Sequence, residues 1–274
     1  MTTEARTGIE AIAEAFARAH ANGRRAALMP YLMGGYPDLE ASRAIGIAYA
    51  EGGADLIELG VPFSDPLADG PVIHAAGTAA LRAGATLPAI LEVARDIAAH
   101  VPVVLMCYAN QIVSRGLERF LDSLVDARVS GLIVPDLPLE EATETRPACR
   151  ARGLAYVPLV APTTPAERLE RIGAQASGFV YTVSVTGTTG ERSDMADSLA
   201  RVIARAAAHT DVPVALGFGI STPEQASAAA DAGADGVIVG TRLVRAAGEA
   251  SDPASAVRAL VAAFSAALSG TPLG

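Results

Sequence analysis

Short apolar runs alternate with longer amphipathic segments along the chain. The runs read AALMPYL (26–32), ADLIELG (54–60), VPVVLMCY (101–108), GLIVPD (131–136), AYVPLVA (155–161), GFVYTVS (178–184), VPVALGFG (212–219) and DGVIVG (235–240). Each is short, bounded by Gly, Pro or Asp, and rich in β-formers, which predicts strands. Between them lie segments of helical spacing such as DLEASRAIGIAYAEGG and TPEQASAAADAG, and DPASAVRALVAAFSAAL follows the last run. Regular strand–helix alternation predicts a parallel sheet, and eight units predict a closed (β/α)8 barrel of the TIM type. A doubly wound open sheet is the alternative. It usually has fewer strands and a Gly-rich first turn, which GGYPD after the first run does not supply.

Residues 1–24 precede the first strand and predict one extra N-terminal helix that caps the barrel, with Ile9, Ile12, Ala13, Phe16 and Ala17 on one face. No shift of composition marks a boundary, so 1–274 reads as a single domain. Two connections after strands are long: 61–87, and the segment SVTGTTGERSD from Ser184 to Asp194. Both belong to the C-terminal face, where this fold carries its chemistry, and the second has the glycine content of a lid.

The net charge of −9 disfavours nucleic acid as a partner. The start lacks a secretory apolar run and no later run reaches membrane-spanning length, so a soluble cytoplasmic protein is expected. Cys107 and Cys149 have no metal-ligand spacing and read as buried thiols in a reducing compartment. The sequence contains no lysine, which excludes a Schiff-base mechanism.

Candidate chemistry concentrates in ELGVPFSDPLADGP (58–71). In a strand, Leu56, Glu58 and Gly60 share one face, while Ile57 and Leu59 share the other. The Ile/Leu face suits the helix layer, so Glu58 points into the barrel, where desolvation raises a carboxyl pKa and suits it to acid–base work. A structural ion pair is the competing role, but Arg242 is the only base near a strand's C-terminal end. Asp69 follows in a loop stiffened by Pro62, Pro66 and Pro71, while Asp65 before Pro66 reads as a turn former. Gly219 after the seventh strand, and Gly240 and Thr241 after the eighth, predict a phosphate site of backbone amides. Thr222 is expected to cap the helix that follows Gly219 in a capping box with Gln225. Tyr108, Asn110, Asp136 and Tyr181 stand at strand ends or inside strands and could face the mouth. His74 reads as a residue of a helix start, and His20, His100 and His209 as surface groups near helix ends.

ELGVPFSDPLADGP, with PYLMGGYPD, MCYAN, IVPDLPLEE, TGTTGER, LGFGIS and GADGVIVGT in the same order, resembles the tryptophan synthase alpha subunit family over nearly the whole chain. The resemblance implies a lyase of tryptophan biosynthesis that cleaves indole-3-glycerol phosphate to indole and glyceraldehyde 3-phosphate by retro-aldol chemistry, with no cofactor in this chain. It implies Glu58 as acid–base group, Asp69 as partner of the indole nitrogen and Tyr181 as support for the glutamate. It also implies Gly190, Gly219, Gly240 and Thr241 at the phosphate, and Tyr31, Met106 and Phe218 around the indole. Thr189 becomes a lid residue that meets Asp69, and Asn110 and Asp136 lie near a PLP-bearing beta subunit in an alpha2beta2 assembly. Thr241 stands where many members have Ser, Tyr31 where some have Phe, and Val185 where some have Arg. A stand-alone lyase releasing free indole and an inactive scaffold that activates a partner are the alternatives. A generic sugar-phosphate isomerase shares the phosphate loops but leaves the acidic loop unexplained.

Overall fold

The computed structural model describes residues 6–183, 192–217 and 219–270; the side chains of 192–198 fall outside the description. Phe218, Thr189, Gly190 and Val185 therefore lie outside the described residues, as does most of the lid segment.

The strands are β1 (Ala27–Met33), β2 (Ile57–Gly60), β3 (Val103–Met106), β4 (Gly131–Ile133), β5 (Ala155–Tyr156), β6 (Leu159–Val160), β7 (Val180–Val183), β8 (Val214–Gly217) and β9 (Gly236–Val239). All neighbours pair in parallel, in the order β5-β4-β3-β2-β1-β9-β8-β7-β6. β5 and β6 are two halves of the single predicted run AYVPLVA. Pro158 has no N–H and interrupts the ladder between them. The halves close the barrel. Val157 N–H donates to Leu132 O at 2.9 Å on one side, and Pro158 O accepts from Tyr181 N–H at 2.9 Å on the other. The nine segments are thus the eight staves expected of a (β/α)8 barrel.

The helices are α1 (Gly8–Ala21), α2 (Leu39–Glu51), α3 (Pro71–Arg82), α4 (Leu87–Ile97), α5 (Ala109–Val113) and α6 (Leu117–Asp126). They continue with α7 (Thr145–Ala151), α8 (Ala166–Gly173), α9 (Arg192–Ala207), α10 (Pro223–Asp231), α11 (Thr241–Glu249) and α12 (Pro253–Leu268). α3 corrects the reading of 61–87 as one long connection. The loop after β2 is 61–70, because Gly70-Pro71 opens a helix, with the proline where a missing N–H costs nothing, and a short turn at 83–86 leads into α4.

Two apolar layers alternate along each strand. Val104, Ile133, Ala215 and Ile238 pack inside the barrel, while Ile57, Leu59, Val103 and Val237 face the helices. α1 plugs the N-terminal end of the barrel. Thr7 and Glu10 form its capping box, and Ile12 and Phe16 join the inner layer, with the Phe16 ring 6.0 Å from that of Phe179. Its buried face is Ala11, Ile12, Ala15, Phe16 and Ala19, which corrects the predicted face: Ala13 and Ala17 are exposed. With methyl groups at 11, 15 and 19 the helix backbone comes close to the strand starts, and burial of Ile12 and Phe16 contributes roughly 2–3 kcal/mol each. This closed end leaves the opposite mouth as the open one.

Candidate active site

A cavity of about 320 Å³ opens at the C-terminal mouth. Glu58, Asp69, Tyr31, Tyr181, Met106, Gly219, Gly240 and Thr241 all line it. These are the sequence-predicted positions that fall on described cavity residues. Asn110, Asp136 and Asp65 do not line it.

Glu58 is buried at 2 % exposure, and its neighbours Ile57 and Leu59 sit in the outer layer, so the strand alternation places it inward as expected. Neither carboxylate oxygen has a hydrogen-bond partner, and among the described residues no cation pairs with it. Among the described residues nothing supplies the competing structural ion pair. Burial pushes the Glu58 pKa up to about 8, with the nearby negative charge of Asp69 adding to the effect. The shift favours the protonated, proton-donating form of Glu58 near neutral pH. Tyr181 stands beside it, but its hydroxyl makes no hydrogen bond to the carboxyl group here.

Two tyrosines gain their places from glycines on adjacent strands. A Cβ at Gly60 would lie 2.0 Å from the Tyr31 hydroxyl, and one at Gly217 would lie 2.4 Å from the Tyr181 hydroxyl. Each ring crosses a gap on the neighbouring strand that only hydrogen can leave open. Desolvation keeps both phenols protonated, with the charge of Glu58 reinforcing this in each and that of Asp69 in Tyr31.

Asp69 is half-buried in the loop between β2 and α3. Its pKa is raised by burial, against the opposing effects of a hydrogen bond from Tyr108 and the charge of His74. Tyr108, at the N-cap of α5, donates to Asp69 Oδ1 at 3.0 Å and accepts from Ala68 N–H at 3.0 Å. Sequence reasoning named Tyr108 as a mouth residue without this link, which depends on tertiary distance. Asp136 accepts from Ala109 N–H at 2.8 Å, so here it anchors α5.

Where the sequence predicts a phosphate site, the two helix starts differ. α10 is satisfied by itself: Gln225 Oε1 accepts from Ser221 N–H and Thr222 N–H, and Thr222 accepts from Gln225 N–H, the predicted capping box. No side chain caps α11, whose Gly240 and Thr241 open to the cavity. Gly219, at φ 83, holds a left-handed turn that brings bare backbone to the same rim. Ile73, Ile220, Leu159 and Ile238 complete an apolar wall that sequence reasoning did not name. They lie on α3, in the connection after β8, and on β6 and β9, and no local pattern marks them.

A buried acid, a second carboxylate, apolar side chains and the backbone at Gly219 and Gly240 meet at one barrel mouth. The family model for the tryptophan synthase alpha chain covers residues 16–269. The chain belongs to the tryptophan synthase alpha chain family. The alpha chain of Prochlorococcus marinus (strain MIT 9313) is 50 % identical over 236 residues, covering 85 % of this chain and 86 % of that protein. The alpha chain of Methanosarcina mazei is 47 % identical over 229 residues, covering 84 % of each. A structure of Mycobacterium tuberculosis tryptophan synthase superposes with a TM-score of 0.86 at 39 % identity, over 96 % of this chain and 98 % of that one. The alpha chain from Legionella pneumophila subsp. pneumophila gives 0.86 at 34 %, over 96 % and 98 %. Among the described residues no group of three or more His, Cys, Asp or Glu is arranged to hold a metal. Cys107 and Cys149 are free and buried. No described helix is long and apolar enough to cross a membrane.

Proposed function

We propose that this alpha chain cleaves indole-3-glycerol phosphate to indole and glyceraldehyde 3-phosphate, using Glu58 and Asp69 in divided roles. The observation that carries the assignment is Glu58: fully buried, unpartnered at both oxygens and pushed up to about 8, on the wall of the cavity that Asp69 also lines. A buried carboxylic acid with no structural partner is disfavoured for stability, and proton transfer explains its presence.

The chemistry follows from the leaving group. An aromatic carbon leaves readily only when it has been protonated. Glu58 starts as the acid and delivers its proton to indole C3. The ring then carries positive charge shared with nitrogen, and the carboxylate of Asp69 accepts the N–H hydrogen bond and offsets that charge. Glu58, now a carboxylate, takes the proton of the hydroxyl on the carbon attached to C3. The C3–carbon bond breaks, its electrons return to the ring, and the hydroxyl carbon becomes the aldehyde. Glu58 ends protonated, ready for another cycle. Tyr31 and Met106 flank the indole; Tyr181, which lines the cavity beside Glu58 without a hydrogen bond to it here, takes its supporting role, and Phe218 its place at the indole, from the resemblance. Gly219, Gly240 and Thr241 receive the phosphate, where amide donors at a helix start suit an anion in an otherwise acidic chain. Thr189 and Gly190 enter this reading through the resemblance alone.

The chain supplies the catalytic groups itself and works in the cytoplasm beside a PLP-bearing beta subunit. Leu67 in the acidic loop, 90 % exposed, and Val113 at the end of α5, 76 % exposed, are the most exposed large apolar side chains described. With the exposed Asn110 on α5 they suit a protein partner at the mouth. Release of indole from indole-3-glycerol phosphate by the purified chain, with and without an added beta subunit, tests the reading. No indole under either condition would overturn it.

A further inference from the structure

We infer that Tyr108 is the positioning residue for Asp69, holding one carboxylate oxygen so that the other is presented to the cavity. This deepens the proposed function and rests on its reading of Asp69.

The geometry is specific. The Tyr108 hydroxyl sits between two successive residues of the acidic loop, accepting from Ala68 N–H and donating to Asp69 Oδ1, each at 3.0 Å. A phenol has one hydrogen to give, and the Ala68 contact fixes where its oxygen lies. The ring itself cannot drift: it is 3 % exposed and stacks on Phe63, with centroids 5.2 Å apart and planes at 28°. The loop is held again at its start, where Gln111 Nε2 of α5 donates to Pro62 O at 3.3 Å. α5 is held in turn by Asp136 through Ala109 N–H. The end of β3 therefore clamps the loop at Pro62, Ala68 and Asp69, and only the last contact touches a group proposed to meet substrate.

The consequence is chemical as well as positional. A hydrogen bond donated to a carboxylate favours its ionised form. Burial favours the neutral form, and Asp69 must be ionised to offset the charge that develops on the indole ring. Among the described residues, the titratable groups around Asp69 are Glu58 on β2, Tyr31 on β1, His74 on α3, and Tyr108. Among them Tyr108 is the one in hydrogen-bond contact. It thus keeps Asp69 charged beside a protonated Glu58, and it blocks rotation of the carboxylate away from the cavity.

The test is Tyr108→Phe, which removes the hydroxyl and keeps the ring on Phe63. The Asp69 carboxyl is titrated by ¹³C NMR in the ligand-free protein, with Asp69→Asn to assign the signal. The expected result is a higher Asp69 pKa in Tyr108→Phe, with kcat for cleavage down about tenfold, KM little changed, and the acid limb of the pH profile moved upward. An Asp69 titration identical to wild type would overturn the proposal whatever the activity, as would a loss confined to KM. If Asp69→Asn cleaved substrate at the wild-type rate, the catalytic reading of Asp69 would fail, and the titration would still decide whether Tyr108 holds it. Circular dichroism of Tyr108→Phe separates these results from a folding defect.

Discussion

The Tyr31 ring on β1 lies across Gly60 on β2, so closely that a methyl group at position 60 would sit 2.0 Å from the phenol oxygen. Register pairs Tyr31 with Glu58 and Met33 with Gly60, so the ring reaches diagonally toward the mouth, over the residue two beyond the glutamate. Gly60→Ala forces Tyr31 to a new position. The expected outcome is loss of 1–3 kcal/mol of stability from overpacking, and a fall in activity that exceeds what unfolding explains. A double-mutant cycle with Tyr31→Ala checks the cause: in that background Gly60→Ala should cost little. Simple additivity would reject the contact as the source.

Glu58→Gln separates function from stability. An amide cannot cycle a proton, so cleavage should fall by at least a thousandfold. The fold should respond in the opposite direction. Below about pH 4.5 Glu58 is protonated in folded and unfolded chains alike, and its carboxyl makes no pH-dependent difference. As pH rises toward 8 the unfolded chain ionises and the folded one does not, so the wild type loses stability through that window. The loss levels off above it at up to about 5 kcal/mol. Chemical denaturation of both proteins at pH 5 and pH 8.5 should show Glu58→Gln gaining on wild type at the higher pH. Parallel pH profiles would mean that Glu58 ionises normally.

Much of this site was legible before the structure, and the reason is geometric. Strand alternation is local, so ADLIELG alone sets Glu58 against Ile57 and Leu59, and helix-start signals are equally local, as Thr222 and Gln225 show. What stayed hidden depends on distance through space. Tyr108 and Asp69 are 39 residues apart in sequence and meet only because β3 lies beside β2. Ile12 and Phe16 were placed on the buried face of α1, but its alanines were misassigned, because alanines at 11, 13, 15, 17 and 19 make several arcs equally apolar, and only docking against the strand starts chooses among them. Pro158 could be seen to weaken a strand, but not that its two halves would pair with different neighbours and close the barrel.

The uneven caps of α10 and α11 predict where an anion binds. α10 satisfies its own first turn, whereas α11 leaves its start to the cavity. Inorganic phosphate and glycerol phosphate should bind at Gly219, Gly240 and Thr241. At tenfold excess over Kd either should stabilise the protein by about 1.4 kcal/mol, read as a concentration-dependent rise in Tm. Gly219→Ala places a Cβ at φ 83, which is strained for an L residue, and should weaken the effect. Crystals soaked with phosphate that carry it only beside an arginine cluster remote from the mouth would reject the assignment.

Asp69→Asn tests the division of labour between the two acids. Asp69 is half-buried and touches the cavity, yet it is held at one oxygen by Tyr108, so the substitution keeps the side chain in place and changes its charge. In the ground state the indole N–H is a weak acid and an amide oxygen accepts from it almost as well as a carboxylate. Once C3 is protonated, the ring is cationic and the interaction with a negative charge grows. The loss should therefore fall on kcat, by about a hundredfold or more, with KM within a few-fold of wild type. The same substitution removes the negative charge that helps hold the proton on Glu58, so the Glu58 pKa should drop and the basic limb of the remaining activity should move to lower pH. Measuring kcat and KM across pH for Asp69→Asn reads both effects. A rise in KM that accounted for the whole fall in kcat/KM would make Asp69 a binding group, and an unmoved basic limb would show that the two carboxyl groups do not sense each other.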